Sequence, residues 1–152
     1  MARASESQRL RGGVCGAIFR AAGPGLQSAC DKVAPCPTGE ARITPAFKIN
    51  ADNIIHAVGP IFRDDSAEER QLLASAYTNA LQLADDAGLE SIAFPAISTG
   101  IYGFPPEEAA PVVHAAITAF KPKSLRRCLL VFRSEESAVP AREASLLEET
   151  GE

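Results

Sequence analysis

The chain has 152 residues, 46% hydrophobic and 22% charged, with a formal net charge of −4 at pH 7. That length suits one globular domain with its own core, and the acidic balance argues against a nucleic-acid surface, which shows a basic excess. No apolar run reaches about 18 residues and no leader with a small-residue cleavage site is evident, so membrane insertion and secretion lose support and the cytosol is the expected compartment.

Residues Met1 to Arg11 carry four charges and only Leu10 as a large apolar group, which predicts a disordered lead-in unable to form a buried strand. Residues 12–152 are then the folded domain. Gly12, Gly13 and Gly16 interrupt the start of a short apolar helix through Ile18 and Ala22, which Gly23-Pro24 stops. Gly25 to Lys32 predicts a second short helix, and Pro35 to Gly39 a turn cluster. Ala41 to Phe47 and Asn53 to Val58 have the β-branched and aromatic content of two strands, with a hairpin expected.

Ser66-Ala67-Glu68-Glu69 fits a capping box, with the serine hydroxyl on one orphan amide and the glutamate reaching back to another. The following helix turns Leu72, Leu73, Ala76, Tyr77, Ala80, Leu83, Ala84 and Ala87 to one broad face, and Gly88 suits a left-handed stop. Ser91 to Ile97 reads as a strand covered on both faces. Glu107 and Glu108 open a helix to Phe120, in which Pro111 requires either a late start or a kink. Leu125 to Phe132 is a last strand and Ala141 to Glu149 a weak terminal helix. The alternation is that of an α/β layered domain.

Cys15, Cys30, Cys36 and Cys128 lack paired CxxC spacing, so they read as reduced, mostly buried thiols, with no metal or other cofactor expected. His56 and His114, the only histidines, read as packing or surface residues.

Chemistry concentrates in two loops. A buried strand running into Ser98-Thr99-Gly100-Ile101-Tyr102-Gly103 and then a helix presents amides and hydroxyls at the carboxyl end of a sheet. Gly12-Gly13-Val14-Cys15-Gly16 opens a helix, where unpaired amides and the dipole favour negative charge. Two such loops fit a ligand with more than one phosphate, although a glycine-rich turn by itself is more often just a tight turn. Neither loop matches GxxxxGK[ST] or GxGxxG, and Ser98 lacks the GxSxG elbow, which disfavours ATPase, dinucleotide and serine-hydrolase readings.

"GGVCGAIFRAAGP", "CPTGEARIT", "IIHAVGPIF" and "SIAFPAISTGIYGFPPEEAA" together resemble the macrodomain family, in the branch of bacterial O-acetyl-ADP-ribose deacetylases and mono-ADP-ribosyl hydrolases. The resemblance spans roughly Gly12 to Phe132. It implies a three-layer α/β/α fold around a mixed sheet, with ADP-ribose, O-acetyl-ADP-ribose or mono-ADP-ribosylated proteins as partners. By similarity, Gly12 to Gly16 is the first phosphate loop, with Val14 and Ile18 nearby. Ser98 to Gly103 is the second, with Tyr102 closing over the ligand, and Phe132 lies beside the adenine. Core packing is the alternative reading of Tyr102 and Phe132.

Two departures stand out. Relatives carry, before the glycine loop, one or two strands, an adenine-contacting aspartate and an Asn-Ala-Ala-Asn segment that orients the distal ribose; only eleven residues, mostly polar, precede Gly12. The strand leading into that segment belongs between those of Asn53–Val58 and Ser91–Ile97, and a gap there leaves main-chain groups unpaired unless the halves close up or something inserts. The expectation is therefore an N-terminally incomplete macrodomain from a misplaced start. The other departure is Cys15, at the position of the aspartate that activates or positions water in active relatives. The resemblance leaves three readings: a hydrolase using loop-oriented water, a non-catalytic ADP-ribose reader, or an inactive fragment.

Overall fold

The computed structural model describes residues 2–4 and 13–149, with side chains of 13–145. The elements are β1 (Ala2–Ala4), α1 (Gly13–Ala22), α2 (Gly25–Val33), β2 (Ala41–Pro45), β3 (Asn53–Ala57), α3 (Ala67–Asp86), β4 (Ser91–Pro95), α4 (Pro106–Ala119), β5 (Arg127–Val131) and α5 (Glu135–Glu149).

β2 and β3 form the antiparallel hairpin, with Ala41 opposite Ala57 and Pro45 opposite Asn53. The first strand is shorter than expected because the chain turns over at Phe47, which adopts φ 54°. β1 pairs parallel to the other side of β3, placing Ala2 opposite Ile55 and Ala4 opposite Ala57. β4 runs beside β1 and pairs parallel with β5, Ser91 opposite Arg127 and Pro95 opposite Val131. By hydrogen bonding there are two sheets, β1-β3-β2 and β4-β5, with β1 lying beside β4, and both parallel and antiparallel neighbours occur.

β1 corrects the expectation of a disordered lead-in for residues 2–4. Pairing is a main-chain affair, so three extended residues suffice to pair with β3 on the side that faces β4. The gap foreseen there holds a strand. The rest of the expected lead-in, with Gly12, lies outside the described residues.

Alternation along β3 divides the core between the two faces of the sheet. Ile54 packs with Ile18, Ala22, Leu26 and Ala46 under α1 and α2. Ile55 and Ala57 face the other way, into Leu73, Ala76, Tyr77 and Ala80 of α3, where Phe94 of β4 and Val113 of α4 join them. Helices therefore cover both faces, the α/β/α arrangement expected. His56 shares the α2 face: its Nε2 lies 2.9 Å from Thr44 Oγ1 and 3.7 Å from Cys30 Sγ, so it is a packed, hydrogen-bonded core residue. All four cysteines are free and half-buried, less enclosed than the sequence suggested.

α3 begins as expected at Ser66, whose Oγ accepts from the Glu69 amide at 3.2 Å. The reciprocal half of the box differs, because Glu69 Oε1 accepts instead from the amide of Arg63 at 2.9 Å. Gly88 ends the helix at φ 72°. At that end Asp85 accepts from the amides of Lys123, Ser124 and Leu125 at 2.7–3.0 Å, pinning the turn that feeds β5. Those three donors hold its carboxyl below the usual range. α4 starts early rather than late, so Pro111 lies inside it, and α5 begins at Glu135, six residues before the expected start, with Pro140 inside.

Candidate functional site

Two loops meet over one cleft of about 800 Å³ at the carboxyl ends of β4 and β5. Gly13, Val14 and Cys15, the first residues of α1, line it from one side. Ser98, Thr99, Gly100, Ile101 and Tyr102 line it from the other, and Phe132, just beyond β5, borders it with Arg133. The sequence reading thus brought these nine loop and strand-end residues to one place. Its other choices fall elsewhere: Gly16 and Ile18 lie on the buried side of α1, Ile18 in the core with Leu26 and Ile54, because helical periodicity turns both away from the cleft. Gly103 does not line the cleft but closes the loop, at φ 72° with its amide donating to Gly100 O at 3.0 Å.

The second loop is held in shape by its own main chain and by α3. Phe104 N donates to Ser98 O at 2.9 Å, and Phe62 N donates to Tyr102 O at 2.9 Å. Thr99 Oγ1 donates back to Ala96 O at 3.0 Å, so this hydroxyl braces the loop. Tyr77, fully buried in α3, joins strand to loop: its hydroxyl donates to Pro95 O at 3.3 Å and accepts from the Ile97 amide at 3.1 Å. Burial pushes this phenol above its ordinary pKa, so it stays a neutral donor.

Ser98 carries the strain. It adopts φ 65°, a left-handed backbone that costs a non-glycine residue about 1–3 kcal/mol and persists where neighbours over-determine it. Its side chain is 5% exposed and packs against Gly59, where a Cβ would come within 2.1 Å of Ser98 Oγ and 2.5 Å of Ile97 Cγ2. That hydroxyl has no hydrogen-bond partner among the described residues. Ile101, by contrast, is 77% exposed at the loop's tip. Around the two loops, Tyr77, Ala96 and Pro106 complete the strand-end wall, and the cleft continues along α4 past Ala110 and His114. The sequence reading missed this wall, although Pro106, Ala110, Val113 and Ile117 recur at three- and four-residue spacing and so mark one helix face.

A mixed sheet between helices, with a strand-to-helix loop and a helix N-terminus converging on one strand-end cleft, defines an α/β binding domain for a ligand with an anionic portion. The chain belongs to the macro domain family, whose model matches residues 3–113. The match starts within β1, upstream of the Gly12 from which the sequence resemblance was drawn.

A macro domain-containing protein of Ralstonia nicotianae is 55% identical over 101 residues, covering 66% of this chain and 59% of that protein. An O-acetyl-ADP-ribose deacetylase of Klebsiella pneumoniae is 50% identical over 133 residues, covering 84% of this chain and 76% of the enzyme. Among solved structures, the Oceanobacillus iheyensis macrodomain with ADP superposes at a TM-score of 0.83 and 36% identity, covering 97% of this chain and 85% of that one. The Trypanosoma brucei macrodomain in complex with ADP-ribose does so at 0.82 and 30% identity, covering 95% and 62%.

Proposed function

We propose that this chain binds ADP-ribose in the strand-end cleft and that its ligands are O-acetyl-ADP-ribose or ADP-ribose esters of proteins. The observation that carries the reading is the convergence of Gly13–Cys15 and Ser98–Tyr102 on one cleft. A diphosphate placed between them meets a helix N-terminus on one side and a glycine-containing loop on the other, both favourable to negative charge. Likeness to a deacetylase and to macrodomains solved with ADP and ADP-ribose supports the same ligand.

In the hydrolytic form of this reading, a water oxygen adds to the ester carbonyl, the bond to the ribose oxygen breaks, and acetate and ADP-ribose leave. Loop amides would stabilise the charge that develops on the carbonyl oxygen. Cys15 favours the second form, a reader. At the start of α1 it offers a thiol where a base would be wanted, and a thiol accepts a proton from water only once it has ionised.

Calorimetry with ADP-ribose tests binding; the expected result is a one-to-one isotherm, and no heat at millimolar ligand would refute the assignment. Release of acetate from O-acetyl-ADP-ribose, measured for the chain and for Cys15→Asp, separates enzyme from reader. Turnover only in the variant identifies a reader with an otherwise competent site.

A further inference from the structure

The cleft is unevenly charged. Arg133, the residue after Phe132, is the only permanently charged side chain among its described lining residues, and no aspartate or glutamate joins it there, although the chain carries 19 acids against 15 bases. Arg133 is exposed and makes no hydrogen bond or ion pair among the described residues. The acids nearest to it in the chain, Glu135 and Glu136, open α5 outside the cleft lining, and Glu135 is paired with Arg142 at 2.8 Å.

The diphosphate of the ligand is already provided for. In the reading above it lies between Gly13–Cys15 and Ser98–Tyr102, where main-chain amides and a helix N-terminus meet it. Arg133 is placed differently, next to the residue that flanks the adenine in that reading, so the group within its reach belongs to the adenosine half of the ligand. This part of the cleft is also wet: Thr118, Ser137 and Ser145 line it with exposed, hydroxyl-bearing side chains. An anion there keeps much of its hydration, and pairing with a guanidinium does not have to offset a full burial.

An adenosine ribose is recognised in one of two ways. A free 2′-hydroxyl donates to a carboxylate, whereas a 2′-phosphate is met by an arginine, whose planar fork matches phosphate oxygens. Among the described lining residues the cleft offers the arginine and no carboxylate. Resting on the reading above, in which ADP-ribose occupies the cleft with its adenine at Phe132, we infer that Arg133 is a specificity-determining residue that selects ADP-ribose bearing a phosphate on the adenosine 2′-oxygen.

The test compares ADP-ribose with 2′-phospho-ADP-ribose by calorimetry at about pH 8, where the added phosphate is a dianion because its second pKa is about 6. A charge-assisted contact is enough for about tenfold, so the native chain should bind the phosphorylated ligand about tenfold more tightly. Arg133→Gln should bring the two affinities to within about twofold of each other, and Arg133→Lys, which keeps the charge and loses the fork, should retain part of the preference. Raising sodium chloride from about 0.1 to about 0.5 M should shrink the preference, because the pair is exposed to solvent. The ratio of the two affinities is the readout, so a general loss of binding in a variant cancels. Equal or weaker binding of the phosphorylated ligand by the native chain, or a preference that survives Arg133→Gln, would overturn the assignment and leave the proposed function standing. Failure of both ligands to bind would remove the reading on which it rests, and the assignment with it.

Discussion

Gly59→Ala puts one methyl group at the contact that holds the second loop. The new Cβ would lie 2.1 Å from Ser98 Oγ and 2.5 Å from Ile97 Cγ2, and Ile97 is itself fully buried. Neither neighbour is the free end of a long side chain, so relief requires the loop backbone to recede by about 1 Å from a close-packed position. Overpacking of this kind costs about 1–3 kcal/mol, which for a chain of this length lowers Tm by roughly 2–12 °C. The same shift moves the amides that face the ligand, so ADP-ribose affinity should fall by on the order of tenfold, equivalent to about 1.4 kcal/mol. Differential scanning calorimetry and isothermal titration on the same preparation read both effects. Unchanged Tm together with unchanged Kd would refute the claim that Gly59 fixes the height of the loop.

Gly100→Ala is the complementary change: its Cβ meets nothing within 4 Å, so Tm should stay within about 1 °C while ADP-ribose affinity drops, because the methyl group occupies the ligand's approach. Tyr77→Phe leaves the buried Ile97 amide without its acceptor, and stability should fall by about 1–3 kcal/mol with faster deuterium uptake over residues 97–103. Asp85 has a lowered folded pKa, so the stability it contributes is complete above its unfolded value of about 4 and is lost as pH falls through the lower folded value. Asp85→Asn should therefore lower Tm at pH 7 and flatten the acid limb of a Tm-versus-pH curve; an unaltered acid limb would show that Asp85 does not govern it.

The parts of the fold that could be read in the sequence are those where local and tertiary demands agree. α3 has a capping serine, a broad apolar face along its twenty residues and a left-handed glycine stop, and it forms between those signals with only the glutamate's partner changed. The β2–β3 hairpin is similarly overdetermined by composition and turn. β1 is the opposite case. Ala2–Ala4 has no pattern of its own, and it becomes a strand because the free side of β3 has main-chain groups that require a partner. α4 also exceeds its local signals: Pro111 argues for a later start, but Ala109 and Val113 pack into the α3 core, and the missing amide bond is outweighed.

The same division governs the site. Glycines and hydroxyls are visible as letters, so both loops were legible, whereas Ile18, named by similarity, lies in the core because a helix turns successive residues to different sides. What a sequence does not display is emptiness. The side of the cleft away from the loops brings Ala141 and Ser145 of α5 together with Cys128 and Leu130 of β5, residues that lie at least eleven positions apart in the chain. Each is unremarked alone, and only their opposition across an unfilled interval makes a space.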